Sequence, residues 1–159
     1  MPLRSVEIGL PGVGGTLWLS SMPGRFEPWP SFLAEADAAR IALVLCLTPR
    51  HEIQHNAPAY HAALDEGGLP FRWLQLPMQD FGLAARLDAY RAGIEAAGKA
   101  LRGDESVLLH CAAGIGRTGT AAACLLKHLG LPTAVSLQRV RDAGSNPESA
   151  QQSGLVEGF

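Results

Sequence analysis

The stretch VLLHCAAGIGRT, Val107 to Thr118, passes from a short apolar run through a turn of small residues to an arginine at the mouth of a second apolar segment. Ser106 to His110 (SVLLH) has the length and composition of a buried strand. Arg117 to Leu129 is a long, largely apolar segment stopped by Gly130 and Pro132, as a buried helix would be. Strand, Gly-rich turn and helix in that order are one step of an α/β fold.

Working outward, the same alternation continues on both sides. Towards the N-terminus, Ile41 to Leu47 (IALVLCL) is an apolar run of core-strand length, and Phe32 to Arg40 precedes it as a helix for which Ser31 is a candidate N-cap. Thr16 to Ser20 (TLWLS) alternates as a strand, Met22 to Pro30 is a Pro-punctuated loop, and the Gly-rich start from Gly9 to Gly15 reads as a hairpin turn. Between the two apolar runs, Ala59 to Glu66 forms a helix closed by Gly67-Gly68, Phe71 to Leu76 (FRWLQL) a strand, and Leu87 to Leu101 a helix, with a loop from Pro77 to Ala84. Beyond the decisive stretch, Thr133 to Arg141 is a last full helix and Asp142 to Ser153 is polar and turn-rich before a short apolar end. The expectation is a single α/β domain over residues 1 to 159, with a central, mostly parallel sheet flanked by helices.

A chain of 159 residues has room for one core, and 47% hydrophobic against 18% charged residues is enough apolar surface to fill it. The formal charge is −2 and Lys and Arg form no cluster, so the footprint of a nucleic-acid or anionic-membrane binder is missing. No apolar run approaches the ~20 residues that span a bilayer, and Glu7 breaks a signal-peptide reading. A soluble, cytoplasmic monomer is expected. Three cysteines, Cys46, Cys111 and Cys124, fit a reducing compartment better than a disulfide framework.

The chemistry of the stretch is that of an anion site. Ala112, Ala113, Gly114, Ile115 and Gly116 form a run of mostly small residues whose backbone can curl until its N–H groups point inward as a nest, and the helix that follows adds its positive end. A tetrahedral oxyanion fits there. The same field stabilises a thiolate, which makes Cys111 a nucleophile. Arg117 brings a planar fork of donors that can hold two equatorial oxygens of a phosphoryl group, as a lysine could not. Thr118 can hydrogen-bond the sulfur and help it leave.

Residue for residue, His110, Cys111, Ala112 to Gly116, Arg117 and Thr118 resemble the signature of the protein tyrosine phosphatase superfamily. With the cysteine two-thirds of the way along, the resemblance is to the dual-specificity branch. The layout from the MPG loop through CLTPRHE, PMQD and HCAAGIGRT to VRDAG is similar to the kinase-associated phosphatase group and its bacterial relatives. This resemblance implies a phosphomonoesterase working through a phosphocysteine, with no cofactor or metal. It also implies a general acid and base on a loop about thirty residues before the cysteine. Asp80, thirty-one residues before Cys111 and directly after FRWLQL, matches that position.

Further roles follow from the same likeness. His110 is expected to support the loop through backbone hydrogen bonds. Near the C-terminus a water-orienting glutamine is expected at Gln151, with Gln152 as the neighbouring choice. Cys46 matches a position at which some relatives carry a cysteine that captures the oxidised nucleophile, although a small apolar core residue is as good a reading; Cys124, amid AAACLL, belongs in the core. A zinc site from His110, Cys111, His128 and the other cysteines lacks paired ligand spacing. The expected partner is a phosphorylated protein or peptide. A phosphoinositide or other small phosphate ester, and a non-catalytic phosphoprotein-binding module, are the alternatives, together with a rhodanese-like sulfurtransferase, for which Asp80 would be dispensable.

Overall fold

The computed structural model of the chain describes residues 3 to 159. Five strands, β1 (Arg4–Val6), β2 (Leu17–Ser20), β3 (Ile41–Cys46), β4 (Arg72–Gln75) and β5 (Ser106–His110), make one sheet in the order β1-β2-β5-β3-β4. β5 runs parallel to β2 and β3, and β4 runs parallel to β3, while β1 is antiparallel to β2. Seven helices among the described residues flank this sheet: α1 (Trp29–Ala38), α2 (Arg50–Asn56), α3 (Pro58–Glu66), α4 (Leu87–Arg102), α5 (Gly116–Leu129), α6 (Thr133–Asp142) and α7 (Ala150–Gly158). The fold is a single α/β domain, as expected.

The central strands are apolar on both faces because both faces are covered. Val107 and Leu109 of β5 join Leu43 and Leu45 of β3 in a cluster with Ile94 of α4 and Leu125 of α5. One residue out of step, Leu108 and Val44 face Phe32 and Ala36 of α1. The two-residue period of a strand therefore decides which side each residue serves. Cys46 lies on the face covered by α2 and α3, packed with Ile53 and Tyr60. The helix α5 is buried at every position except Lys127 and His128. Its small residues admit close neighbours: Gly119 leaves no room for a Cβ against the backbone of Asn146.

Four elements differ from the sequence expectation. β1 is only three residues long, too short to alternate visibly, and the Gly9 to Gly15 segment connects it to its antiparallel neighbour β2. α1 starts at Trp29 with Pro28 as its N-cap, so Ser31 lies inside the helix. α2 is a seven-residue helix after Pro49, below the length at which an apolar period can be read. α7 occupies residues assigned partly to a turn. Ser149 caps it by accepting a hydrogen bond from the Gln152 N–H at 3.1 Å, and Lys127 of α5 donates to the carbonyls of Val156 and Glu157 at its far end. Docking stabilises this short helix, whose intrinsic propensity Gly154 and Gly158 lower.

Candidate active site

Because β5 is the middle strand and points its C-terminal end at α5, the residues that follow it lie in the crevice where open α/β sheets bind ligands. The sharp turn there requires glycine. Gly114 has φ +80°, and a Cβ on it would sit 2.6 Å from the backbone of Ser20 and Ser21 at the end of β2. The curl brings the Gly114 N–H to 3.2 Å and the Thr118 hydroxyl to 3.0 Å from Cys111 Sγ, both donating to it. Two donors converging on one buried sulfur stabilise negative charge there. The first N–H groups of α5 have no partners within the helix, and their dipoles add to the same field.

Arg117 follows one residue into α5, and its side chain is 2% exposed. Counting its five donors shows what it is free to do. Nη1 donates to Glu52 Oε2 at 2.8 Å and to the Met78 carbonyl at 3.1 Å, and Nη2 donates to Glu52 Oε1 at 2.9 Å. The Nε–H is buried with no partner among the described residues. Among the described residues the second hydrogen of Nη2 has only Asp80 Oδ1 near it, at 3.7 Å. One edge of the guanidinium is thus locked by Glu52, and the Nε/Nη2 edge is left for a bidentate anion. Burial works against the arginine's charge, but the Glu52 hydrogen bonds, and then the charge of Cys111, hold its pKa above the ordinary value.

Asp80 sits at the tip of the loop joining β4 to α4, and its side chain is 62% exposed. Pairing of Met78 with Ala84 and a tight turn from Gln79 to Gly82 shape this loop, with Phe81 at φ +57°. The loop is tied to the site twice. Met78 lends its carbonyl to Arg117, and Gly82 lends its carbonyl to Gln152 Nε2 at 3.2 Å. That second contact is made by the neighbour of the glutamine expected from the sequence. Gln151 is exposed on α7, while Gln152 is buried, accepts from the Glu148 N–H at 2.8 Å, and reaches the aspartate loop. The capped first turn of α7 selects which of two adjacent amides faces inward, and the sequence holds no sign of that phase.

Behind the nucleophile, His110 is fully buried on the α3 side of the sheet. Trp73 Nε1 donates to the Tyr60 oxygen at 2.8 Å, and Tyr60 lies 2.8 Å from His110 Nε2. The Cys111 carbonyl, 3.2 Å from Nδ1, can only accept, so the neutral imidazole carries its proton on Nδ1, and Tyr60, whose oxygen accepts from Trp73, donates to Nε2. Burial drives the His110 pKa down to about 4, with the nearby Arg117 charge adding to it against the Cys111 carbonyl. Burial likewise pushes the Tyr60 hydroxyl well above its usual range. His110 is therefore a neutral, oriented support for the loop.

The remaining cysteines are free and buried. Burial raises the Cys46 thiol, which lies 3.3 Å from the Thr48 hydroxyl, and pushes Cys124 up to about 12. Among the described residues no group of three or more His, Cys, Asp or Glu is placed to hold a metal ion, and no helix is long and apolar enough to cross a membrane. Glu52, Tyr60 and Trp73 are the site residues that sequence reasoning passed over. For Glu52 the signal was present, since a carboxylate three residues after the Thr48-Pro49 pair at the end of a core strand lies at the same sheet edge as the cysteine.

A nucleophilic cysteine and an anion-binding arginine, set in a turn between a central parallel strand and a buried helix, define a cysteine-based phosphatase with Cys111 and Arg117 as its catalytic pair. A family model described as Swiss Army Knife protein, DSP-PTPase phosphatase domain, matches residues 20–153, and the chain belongs to that family. No curated protein matches it. Among solved structures, a kinase associated phosphatase with its catalytic-site cysteine substituted by serine has a TM-score of 0.83 at 18% identity, covering 100% of this chain and 94% of that one. Tk-PTP in the active form has a TM-score of 0.71 at 22% identity, covering 98% and 95%. PTPMT1 in complex with PI(5)P has a TM-score of 0.69 at 16% identity, covering 90% and 88%. At these identities the likeness is one of fold.

Proposed function

We propose that this phosphatase hydrolyses aryl phosphates borne by proteins, phosphotyrosine above all, through a phosphocysteine intermediate. The observation that carries the reading is the Nε/Nη2 edge of a buried Arg117, whose Nε–H has no partner among the described residues and whose Nη2 faces Asp80 only at 3.7 Å, beside a sulfur that already accepts two hydrogen bonds. In the first step Cys111 Sγ forms a bond to phosphorus while the ester P–O bond breaks, and Asp80 gives its proton to the departing oxygen. In the second step a water attacks phosphorus and yields a proton to Asp80. The S–P bond then breaks, the Thr118 hydroxyl stabilises the returning thiolate, and inorganic phosphate leaves. Arg117 follows the equatorial oxygens through both transition states.

The surroundings favour an aromatic ester over a polyphosphorylated headgroup. Phe26, Phe81 and Ile115 are exposed large apolar residues, Ile115 within the loop itself and Phe81 next to Asp80. A groove of about 380 Å³ lined by Arg4, Ser21, Phe26, Ala113, Ile115 and Gly144 runs beside the loop and suits a peptide continuing from the phosphorylated residue. Neither lysine serves the site: Lys127 caps α7, and Lys99 lines a cavity with Leu43 and Arg72. The Glu148 carboxylate, packed against Gly116 so closely that a Cβ there would clash, disfavours a second phosphate nearby.

The deciding experiment compares kcat/KM for a phosphotyrosyl peptide, a phosphoseryl peptide and a phosphoinositide with EDTA present throughout, beside a Cys111→Ser control. The phosphotyrosyl peptide should be the best substrate, and Cys111→Ser should bind it without turnover. Faster hydrolysis of the phosphoinositide would overturn the protein-substrate reading, and normal activity in Cys111→Ser would overturn the covalent one.

A further inference from the structure

The peptide between Gly114 and Ile115 is held from outside the loop by a residue more than a hundred positions earlier. Arg4, on the edge strand β1, donates from Nη2 to the Gly114 carbonyl at 2.7 Å. From Nη1 it donates to the Ala143 carbonyl at 2.6 Å and to Ser145 Oγ at 3.0 Å. Ser145, itself buried, donates its hydroxyl proton to the same Gly114 carbonyl at 2.6 Å. Gly144, with φ +90°, makes room for this arrangement, since a Cβ there would lie 2.9 Å from Arg4 Nη1.

The consequence follows from the geometry of a planar trans peptide, whose C=O and N–H point in opposite directions. With the Gly114 carbonyl drawn outward by two donors, the Ile115 N–H is turned to the opposite side, towards the inside of the curl where the oxyanion binds. Rotating that one peptide would be easy beside a glycine, and it would put a carbonyl oxygen where a phosphate oxygen has to sit. We propose that Arg4, with Ser145, is a positioning residue that keeps the phosphate-binding loop in its anion-accepting form by fixing the Gly114–Ile115 peptide plane. Arg4 also lies near enough to Cys111 to feel its charge, which opposes the fall that burial imposes on the arginine's pKa. The inference rests on the oxyanion-binding reading of the loop and not on which ester is the substrate.

The test uses the full chain and tungstate as the probe of the nest. Arg4→Gln, Arg4→Lys and Ser145→Ala are compared with wild type for tungstate Kd, for kcat and KM on an aryl phosphate, for melting temperature, and for protection of the Ile115 amide in the tungstate complex. Loss of a charge-assisted hydrogen bond to a carbonyl that must otherwise find another donor should weaken tungstate roughly ten- to hundredfold in Arg4→Gln. It should also lower kcat and remove the Ile115 protection. Ser145→Ala, which leaves Arg4 in place, should lose about threefold to tenfold, and Arg4→Lys should recover part of the loss. Tungstate affinity and kcat within twofold of wild type, whatever the melting temperature, would overturn the proposal and leave Arg4 as an anchor of β1. Should Arg4→Gln fail to fold, Ser145→Ala decides in the same terms. Wild type that binds no tungstate would instead overturn the oxyanion reading on which the inference stands.

Discussion

Replacing Glu52 by glutamine isolates the role of the carboxylate that holds one edge of Arg117. In the folded chain two charge-assisted hydrogen bonds, 2.8 and 2.9 Å long, join it to a guanidinium that is 2% exposed, while Glu52 itself keeps 21% of its side-chain surface. Breaking a fully buried ion pair from one side costs about 3 to 5 kcal/mol. Partial exposure of Glu52, and the one acceptor a glutamine retains, bring the expected destabilisation to about 2 kcal/mol, a fall of roughly 4 to 8 °C in melting temperature for a domain of this size. Phosphate or tungstate should restore much of that, because an anion on the free Nε/Nη2 edge compensates the charge that Glu52 no longer does. Catalysis responds differently from binding. An arginine no longer locked in place follows the equatorial oxygens less well, so kcat should fall roughly a hundredfold. Removing a competing negative charge should leave KM unchanged or lower. Steady-state kinetics on a phosphotyrosyl peptide, with thermal melts with and without tungstate, would check both halves. A raised KM at unchanged kcat, or a melting temperature that tungstate leaves untouched, would refute the assignment of Glu52 as the holder of the arginine.

Three further outcomes are expected. Asp80→Asn should cost little with aryl phosphates whose phenols are strongly acidic and progressively more, towards a hundredfold to ten-thousandfold, as the leaving group becomes more basic; an equal loss across a phenol series would mean that Asp80 only shapes its loop. Gln152→Ala should slow turnover of the aspartate-loop chemistry several-fold through loss of the Gly82 contact, whereas Gln151→Ala, at an exposed position, should be silent, and kinetics of the two variants side by side would expose a reversed assignment. His110, whose pKa is depressed to about 4 from an unfolded value near 6.5, favours folding above the unfolded value and loses that contribution as the pH falls through the window between them. The wild type should therefore lose about 3 kcal/mol more than His110→Asn between pH 7 and pH 4 in urea unfolding, and a constant difference between the two across that range would show that the imidazole does not stay neutral.

The nucleophile, the anion nest and the arginine were readable from Val107 to Thr118 because every part of that chemistry is contiguous: a buried strand, small residues that let the backbone curl, and a helix whose N-terminus follows at once. The strands β3 and β5 were legible for a related reason, since a parallel strand covered on both faces must be apolar throughout. What the tertiary structure decided involves residues that only the sheet order brings together. Glu52 reaches Arg117 because β3 is the neighbour of β5, so that the two strand ends open onto the same edge. Tyr60, itself held by Trp73, reaches His110 because the two-residue period turns the imidazole towards α3 and away from α5. Arg4 reaches Gly114 from a three-residue strand too short to announce itself, and the choice of Gln152 over Gln151 is set by the phase of a helix that docking stabilises. Local chemistry is written along the chain, but the orientation of that chemistry depends on which distant segments the core packs beside it.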